Sequence, residues 1–354
     1  MSVPPQVPAE RVSLVVTLFN EADSLEGWLE SLAGQTRDPD EVVLVDAGST
    51  DGTIERLRAE ARRNPRIRLH VVPGLNVPQG RNEAIHRARN GLIAVTDAGT
   101  LLETEWLARL LVPIEGHPEI GVSGGVSAPD GRTPFEYALA TIITPRVSEI
   151  DPDRYLPSSR SVAFRREWWE RAGGYPDWLR SGEDLVFDMR LKAAGARLAI
   201  APEAVVRWHP RPTLREFFKQ YRHYARGDGH GHLWPKRHAA RYSAYLTGLL
   251  LGGLSFSHPW LLGPLAAGFA VYARRCFRRV REERPFDSRL GMAAAYALVP
   301  VVLIVGDVAK MLGYPQGLWE RWRAGGPSGL ERTAIASHRA HLGRSGTANE
   351  SADR

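Results

Sequence analysis

Four short apolar runs, VSLVVTL (12–18), EVVLVD (41–46), IRLHVV (67–72) and GLIAVTD (91–97), constrain this chain more than any other feature. Between them lie stretches whose apolar residues recur at helical spacing, from about Ser24 to Ala33, Thr53 to Arg63 and Gln79 to Arg89. A strand that is apolar on both faces needs cover on both, and crossover helices supply it. The pattern predicts an α/β fold built on a doubly wound, mostly parallel sheet. Ligands of such sheets sit outside the carboxyl ends of the strands.

Further along, IGVSGGV (120–126) reads as another strand, and the stretch from Ala128 to Arg160 as an insertion beside the site, with one apolar helix near 134–144. FRREWWERAGGY (164–175) reads as strand end, helix and Gly-Gly turn, and SGEDLVFDMRLKAAG (181–195) as a helix closed by Gly195. RLAIAPEAVVRWH (197–209) gives two more short strands, and LREFFKQYRHYARG (214–227) a basic, aromatic amphipathic helix.

Charge divides the chain. Of 46 Lys+Arg and 40 Asp+Glu, residues 1–208 hold 24 and 30, which leaves 22 and 10 for residues 209–354, a balance of −6 followed by +12. The basic excess flanks apolar segments rather than a recognition module, which excludes a nucleic-acid-binding reading. Residues 242–273 contain no charged side chain, and neither do the 17 residues between Arg289 and Asp307. Both are membrane candidates, since about 20 residues span a bilayer. Lys236, Arg237 and Arg241 precede the first segment and Arg274, Arg275, Arg278, Arg279 and Arg281 follow it, so a single crossing would break the positive-inside rule. His258-Pro259 interrupts it midway, which predicts two short helices in a hairpin that dips into the bilayer or barely crosses it; the alternative is a helical subdomain buried on the first domain. The second segment carries Pro300. The N-terminus, MSVPPQVPAE, lacks the apolar core of a signal peptide, so the first domain is expected in the cytoplasm. Residues 1–10 and 325–354 are expected to be disordered. The single cysteine, Cys276, excludes a disulfide framework and a thiolate zinc site.

Five elements carry candidate chemistry. TLFNEADSLEGWLESLAGQT (17–36) turns from a strand into a helix. VDAGSTDGT (45–53) places Asp46 at a strand end, where it can accept hydrogen bonds from a base or ribose, and Asp51 at a helix start, where it caps. NVPQGRNEAI (76–85) brings Arg81 and Asn82 into a first helical turn. VTDAGT (95–100) ends a buried strand in Asp97, a carboxylate that needs a cation or donors there. SGEDL (181–185) sets Glu183 and Asp184 at a helix N-terminus, where unpaired N–H groups suit a general base. No GxGxxG follows the first strand, which excludes a dinucleotide-dependent dehydrogenase.

In this order and spacing the five elements resemble the inverting nucleotide-sugar glycosyltransferases of family 2, over roughly residues 11–228. The resemblance implies a GT-A fold in 11–228, an NDP-sugar lying over the strand ends, and one displacement at the anomeric carbon. Residues 229–324 then form an apolar and basic, membrane-associated helical region. By the resemblance, Thr17, Phe19, Asn20 and Glu21 line the nucleotide pocket, Asp46 holds the base or ribose, and Arg81 lies near the diphosphate. Asp97 matches the first acid of the family's DxD metal motif, while Gly99 stands at the second, so a divalent metal, Mg or Mn, is implied by the family and left open by this chain. His209 is a candidate substitute ligand. Asp184 matches the catalytic base, with Glu183 in support. Arg222 and Arg226, in QYRHYARG, fall where related polymerising synthases carry Q-x-x-R-W, and would offset charge on the leaving diphosphate. The loop PSSRSVAF (157–164), the turn at Gly173-Gly174-Tyr175 and Trp178 correspond to the acceptor entrance.

The function so implied is inverting transfer to a lipid-linked or surface-glycan acceptor at the cytoplasmic face of the cell membrane, as in envelope polysaccharide biosynthesis. Two alternatives stand beside it. One is a polyprenyl-phosphate sugar synthase. The other, motivated by Gly99, is a catalytically silent nucleotide-sugar-binding scaffold at the membrane.

Overall fold

In a computed structural model the described residues are 10–143, 146–283 and 285–324. The ends expected to be disordered lie outside them, Glu10 excepted. The apolar runs are strands: β1 (Val12–Leu18), β2 (Glu41–Asp46), β3 (Ile67–Val71) and β4 (Leu92–Val95), joined by α1 (Ala22–Ala33), α2 (Thr53–Arg63) and α3 (Val77–Arg87). There follow β5 (Thr100–Leu102), α4 (Trp106–Leu111), β6 (Ile120–Pro129), α5 (Pro134–Ile143), β7 (Val162–Arg165), α6 (Arg166–Ala172), α7 (Glu183–Ala193) and β8 (Arg197–Trp208). The chain continues as α8 (Leu214–His230), α9 (Pro235–Leu254), α10 (Leu262–Glu283) and α11 (Arg289–Ala324).

One eight-stranded sheet runs in the order β3-β2-β1-β4-β7-β6-β8-β5. It is mixed, which corrects the expectation of a mostly parallel sheet: β3, β2, β1 and β4 pair in parallel, whereas β4 with β7, β7 with β6 and β8 with β5 are antiparallel. An apolar run reports cover on both faces and says nothing of its neighbour's direction. The two short strands expected in 197–209 are a single strand, β8, with Pro202 inside it.

Strand alternation sorts the core into two layers. Val12, Leu14, Val16 and Leu18 pack with Leu25 and Trp28 of α1 and Trp106 of α4 on one face. Val15, Val43 and Val45 pack with Ile85 of α3 and Phe164, Tyr175 and Phe187 on the other. Each such fully buried side chain stabilises the fold by about 1.5–3 kcal/mol relative to exposure.

Within the described residues, 10–128 and 146–208 form one compact unit, and 129–143 and 209–324 a second. α8 packs within the second unit, where its Phe217 and Tyr221 are buried against Ala295, Val299, Val302 and Leu303 of α11. The first apolar segment is divided between α9 and α10 by a break at His258-Pro259. Among the described residues, α11 alone is long and apolar enough to cross a membrane, with a mean hydropathy of 2.1 over its best 18 residues, 39% of that window being buried. Neither α9 nor α10 meets that standard; basic residues gather in the first half of α9 and the second half of α10.

Glycines let α8 and α11 meet backbone to backbone. A Cβ on Gly317 would lie 1.9 Å from the Arg226 carbonyl oxygen, and one on Gly313 would lie 2.2 Å from that of Arg222. Gly317→Ala should therefore force the helices apart and lower stability by roughly 1–3 kcal/mol, as overpacking does. An unchanged melting temperature for this variant in detergent would show that the approach is looser.

Candidate active site

The end of β1 and the loop after β2 are stitched together by their own polar groups. The Asn20 N–H donates to Ser49 Oγ at 2.8 Å, and the Thr50 N–H donates to Asn20 Oδ1 at 2.9 Å, with Asn20 in the left-handed region at φ 55°. Asp51 Oδ2 accepts from the Ala22 N–H at the start of α1, and its Oδ1 from the Thr53 N–H at the start of α2, the capping role expected of it. Asp46 is fully buried; its Oδ1 accepts from the N–H groups of Gly48 and Ser49 and its Oδ2 from the Ser49 hydroxyl at 2.7 Å. Its carboxylate thus organises the turn, and a ribose or base would have to share it with Ser49. Phe19 projects from the strand end, 58% exposed. Thr17 meets α3, where a Cβ on Gly80 would fall 2.1 Å from Thr17 Oγ1, so only glycine lets the helix start this near the strand end.

From that helix Arg81 enters the centre of the site. Its Nη2 donates to Asp97 Oδ1 at 2.8 Å and its Nη1 to Glu183 Oε1 at 2.7 Å, with the side chain 5% exposed. Burial opposes its charge, but Asp97 and Glu183 outweigh that and the guanidinium's affinity for its proton is raised. One side chain thus joins α3, the end of β4 and the first turn of α7. Gly182, at φ 77°, turns the chain so that Glu183 enters the interior, while Asp184 stays half-buried, its Oδ1 accepting from the Leu185 N–H at 2.9 Å. Burial, then the Asp184 charge, raise the Glu183 carboxyl above its usual value, with Arg81 opposing. Asn82, next to Arg81, fixes the turn before α7: its Oδ1 accepts from the Tyr175 N–H and from Trp169 Nε1, and its Nδ2 donates to the Tyr175 carbonyl.

The structure therefore brings Arg81, Asp97, Glu183 and Asp184 together from elements a hundred residues apart in sequence. The family descriptions agree with this arrangement: Glycosyl transferase family 2 matches residues 13–170, and Glycosyl transferase family group 2 matches residues 92–306, more than half of the chain. The chain belongs to glycosyl transferase family 2. It is a glycosyltransferase with a GT-A-like fold, which removes the silent-scaffold alternative.

This glycosyltransferase is 26% identical over 231 residues to glycosyltransferase AglE of Haloferax volcanii, covering 63% of this chain and 74% of the relative. It is 26% identical over 268 residues to the succinoglycan biosynthesis protein ExoA of Rhizobium meliloti, covering 72% and 76%. Among solved structures, mannosyltransferase PcManGT from Pyrobaculum calidifontis, in complex with GDP-Man and Mn2+, superposes with a TM-score of 0.55 at 20% identity, covering 88% of each chain, a likeness of fold.

The donors around Asp97 do not fit a divalent cation. Asp97 Oδ1 is held by Arg81, and its Oδ2 faces Arg160 Nε at 3.7 Å. Gly99 brings no oxygen, and Glu21 Oε2, 3.7 Å from where a Gly99 Cβ would stand, accepts the Ser24 hydroxyl at 2.6 Å. Among the described residues no group of three or more His, Cys, Asp or Glu stands close enough to hold a metal. His209 is engaged in the second unit, with Nδ1 2.8 Å from the Asp130 carbonyl oxygen and Nε2 3.3 Å from Glu136 Oε1. Arg222 and Arg226 also lie there and tie α8 to α11, donating to Gln316 and Glu320.

Two features escaped sequence reasoning. Arg160 lies in the loop expected at the acceptor entrance but was not itself singled out, and the fold sets its Nε 3.7 Å from Asp97 Oδ2. Asp188, one turn after Asp184, is 2% exposed and its Oδ2 finds no hydrogen-bond partner. Burial, then the Asp184 charge, hold its carboxyl well above the usual carboxylate range, with Lys192 opposing. The folded chain thus holds this proton more tightly than the unfolded chain, whose Asp titrates near pH 4. Stability from this group is present below that pH and is lost as pH rises to the folded value. Asp188→Asn should flatten the decline of melting temperature from about pH 4 upward; parallel wild-type and variant curves would contradict it.

Proposed function

We propose that this glycosyltransferase moves a sugar from an NDP-sugar, with inversion, to a lipid-linked or surface-glycan acceptor at the cytoplasmic face of the membrane. The observation that carries the reading is Arg81, which locks the end of β4 to the N-terminus of α7 and so sets Asp184 beside the strand ends where the donor lies. Phe19 offers a face for the nucleobase, and Asn20, Glu21 and Asp46 shape the loop that receives it. The acceptor hydroxyl attacks the anomeric carbon opposite the diphosphate, its proton passes to Asp184, and the bond from carbon to diphosphate oxygen breaks with its electron pair leaving on the nucleotide. Glu183 is a positioning residue here, because Arg81 occupies its carboxylate.

Membrane association is supported by α11 and by the junction of α9 and α10, where Leu246, Leu249, Leu250, Phe256, Trp260 and Leu262 are all exposed. Basic residues lie at the far ends of both helices, as anionic lipid would favour. The same exposed cluster favours a second reading, a polyprenyl-phosphate acceptor, whose tail would lie beside it. The succinoglycan relative supports a glycan acceptor.

The test is thermal stability of detergent-purified protein with UDP, GDP, dTDP or CMP, since a ligand at 100 times its Kd adds about 2.7 kcal/mol. One nucleotide should stand out, and its sugar conjugate should then release NDP on addition of either a glycan-lipid or a polyprenyl phosphate, the product's anomeric configuration being read by NMR. A retained configuration, or no response to any nucleotide, would sink the reading.

A further inference from the structure

We infer that α9 and α10 form a re-entrant anchor: the hairpin enters one leaflet of an anionic membrane, turns near the midplane at His258-Pro259 and leaves on the side where it entered. The inference rests on the membrane association proposed above and names how it is made. From residue 239 to residue 272 no residue is buried, although residues 242–273 carry no charge. Leu249, Phe256 and Trp260 are 74%, 92% and 70% exposed. An apolar hairpin left bare over this length needs surroundings other than water.

Two tyrosines set the level at which the arms enter. Tyr245 of α9 and Tyr272 of α10 both donate to Asp307 Oδ2, at 3.3 and 2.5 Å, so they stand at one height on the two arms. Arg241 donates to Asp307 Oδ1 at 2.7 Å and ties that height to α11. Tyrosine favours the boundary between headgroups and hydrocarbon, where its ring is dry and its hydroxyl is not. Past this level α9 runs on to Leu254, and α10 approaches it from Leu262. At about 1.5 Å per residue each arm extends about 14–15 Å beyond its tyrosine. The hydrocarbon core is about 30 Å thick, so even an upright hairpin reaches only its middle.

The turn suits that depth, where an unpaired backbone donor is strongly disfavoured. The N–H groups of Ser255, Phe256, Ser257 and His258 all donate to carbonyls at the end of α9, the Ser255 hydroxyl donates to the Gly252 carbonyl at 2.7 Å, and Pro259 has no N–H. On the other side of the tyrosines the charge changes: Lys236 and Arg237 on α9 and Arg274 on α10 are exposed, where acidic headgroups would lie. Both arms thus carry positive charge at the same end, which a returning hairpin accommodates and a single crossing does not.

The experiment places a nitroxide at Ser257→Cys or at Arg237→Cys, each in full-length Cys276→Ala protein reconstituted in vesicles of phosphatidylcholine and phosphatidylglycerol. EPR then reads collisions of the label with oxygen, which dissolves in hydrocarbon, and with a water-soluble nickel chelate supplied on both sides of the bilayer. The label at 257 should meet oxygen and be shielded from the chelate, and the label at 237 should meet the chelate. The triple variant Lys236→Gln/Arg237→Gln/Arg274→Gln should lose about tenfold or more in partitioning into the anionic vesicles, and hardly change with phosphatidylcholine alone. Melting temperatures in detergent check that each variant folds. A label at 257 that meets the chelate would overturn the inference, since the tip then lies in water on one side or the other. Unchanged partitioning of the folded triple variant into anionic vesicles would overturn it as well. Wild-type protein that fails to float with vesicles of either composition would instead remove the membrane association itself, and this inference with it.

Discussion

Replacing Asp184 with Asn lowers the rate of sugar transfer by about 10²- to 10⁴-fold, the usual contribution of a positioned general base, while leaving nucleotide affinity unchanged. The amide has nearly the same shape and can still accept from the Leu185 N–H, so the first turn of α7 keeps its geometry. What it loses is the ability to take the acceptor proton. NDP release measured alongside nucleotide-induced stabilisation separates the two effects. A variant that binds nucleotide and transfers at nearly the wild-type rate would move the base elsewhere.

The second large effect is on stability. Arg81→Met leaves Glu183 and part of Asp97 without the cation both were folded around, and removing one partner from such a desolvated cluster costs about 3–5 kcal/mol. In a domain of this size that is on the order of 10 °C in Tm. Adding Glu183→Gln to Arg81→Met should recover part of the loss, because one of the two stranded carboxylates is then neutral. A melting temperature unchanged by Arg81→Met would mean that water reaches the cluster and that its charges are screened. Transfer should fall in both variants, since α7 loses its tie to β4.

The Val, Ile and Leu runs found the four strands that carry the site, because a strand apolar on both faces leaves few alternatives. The polar residues that end each run found the site's floor for the same reason: charge at the end of a buried strand must have a partner. Asp97 was visible that way, whereas Arg81 and Glu183 were read at the starts of helices. Their union in one ion cluster was not visible, because it depends on where α3 and α7 cross the sheet. The direction of β7 and β6 was equally hidden, and so was the approach of Arg160 to Asp97. Arg222 and Arg226 were read by analogy with a motif whose tryptophan this chain lacks, and their observed partners, Gln316 and Glu320, lie about ninety residues away on α11, beyond any local pattern. The membrane segments were legible as composition. His258-Pro259 marked the division of the first of them, where the backbone passes from α9 to α10.

The glycine contact between α8 and α11 also bears on mechanics. Most helix pairs meet through a layer of side chains that can change rotamer and absorb a shift of one helix against the other. At Gly313 and Gly317 that layer is missing, and carbonyl groups of α8 lie directly against the α11 backbone. A joint without a soft layer transmits displacement almost undiminished. If the bilayer grips α11, a change in its thickness or lateral pressure that tilts this helix drags Arg222 and Arg226 of α8 along with it, so lipid composition becomes a lever on the position of those arginines.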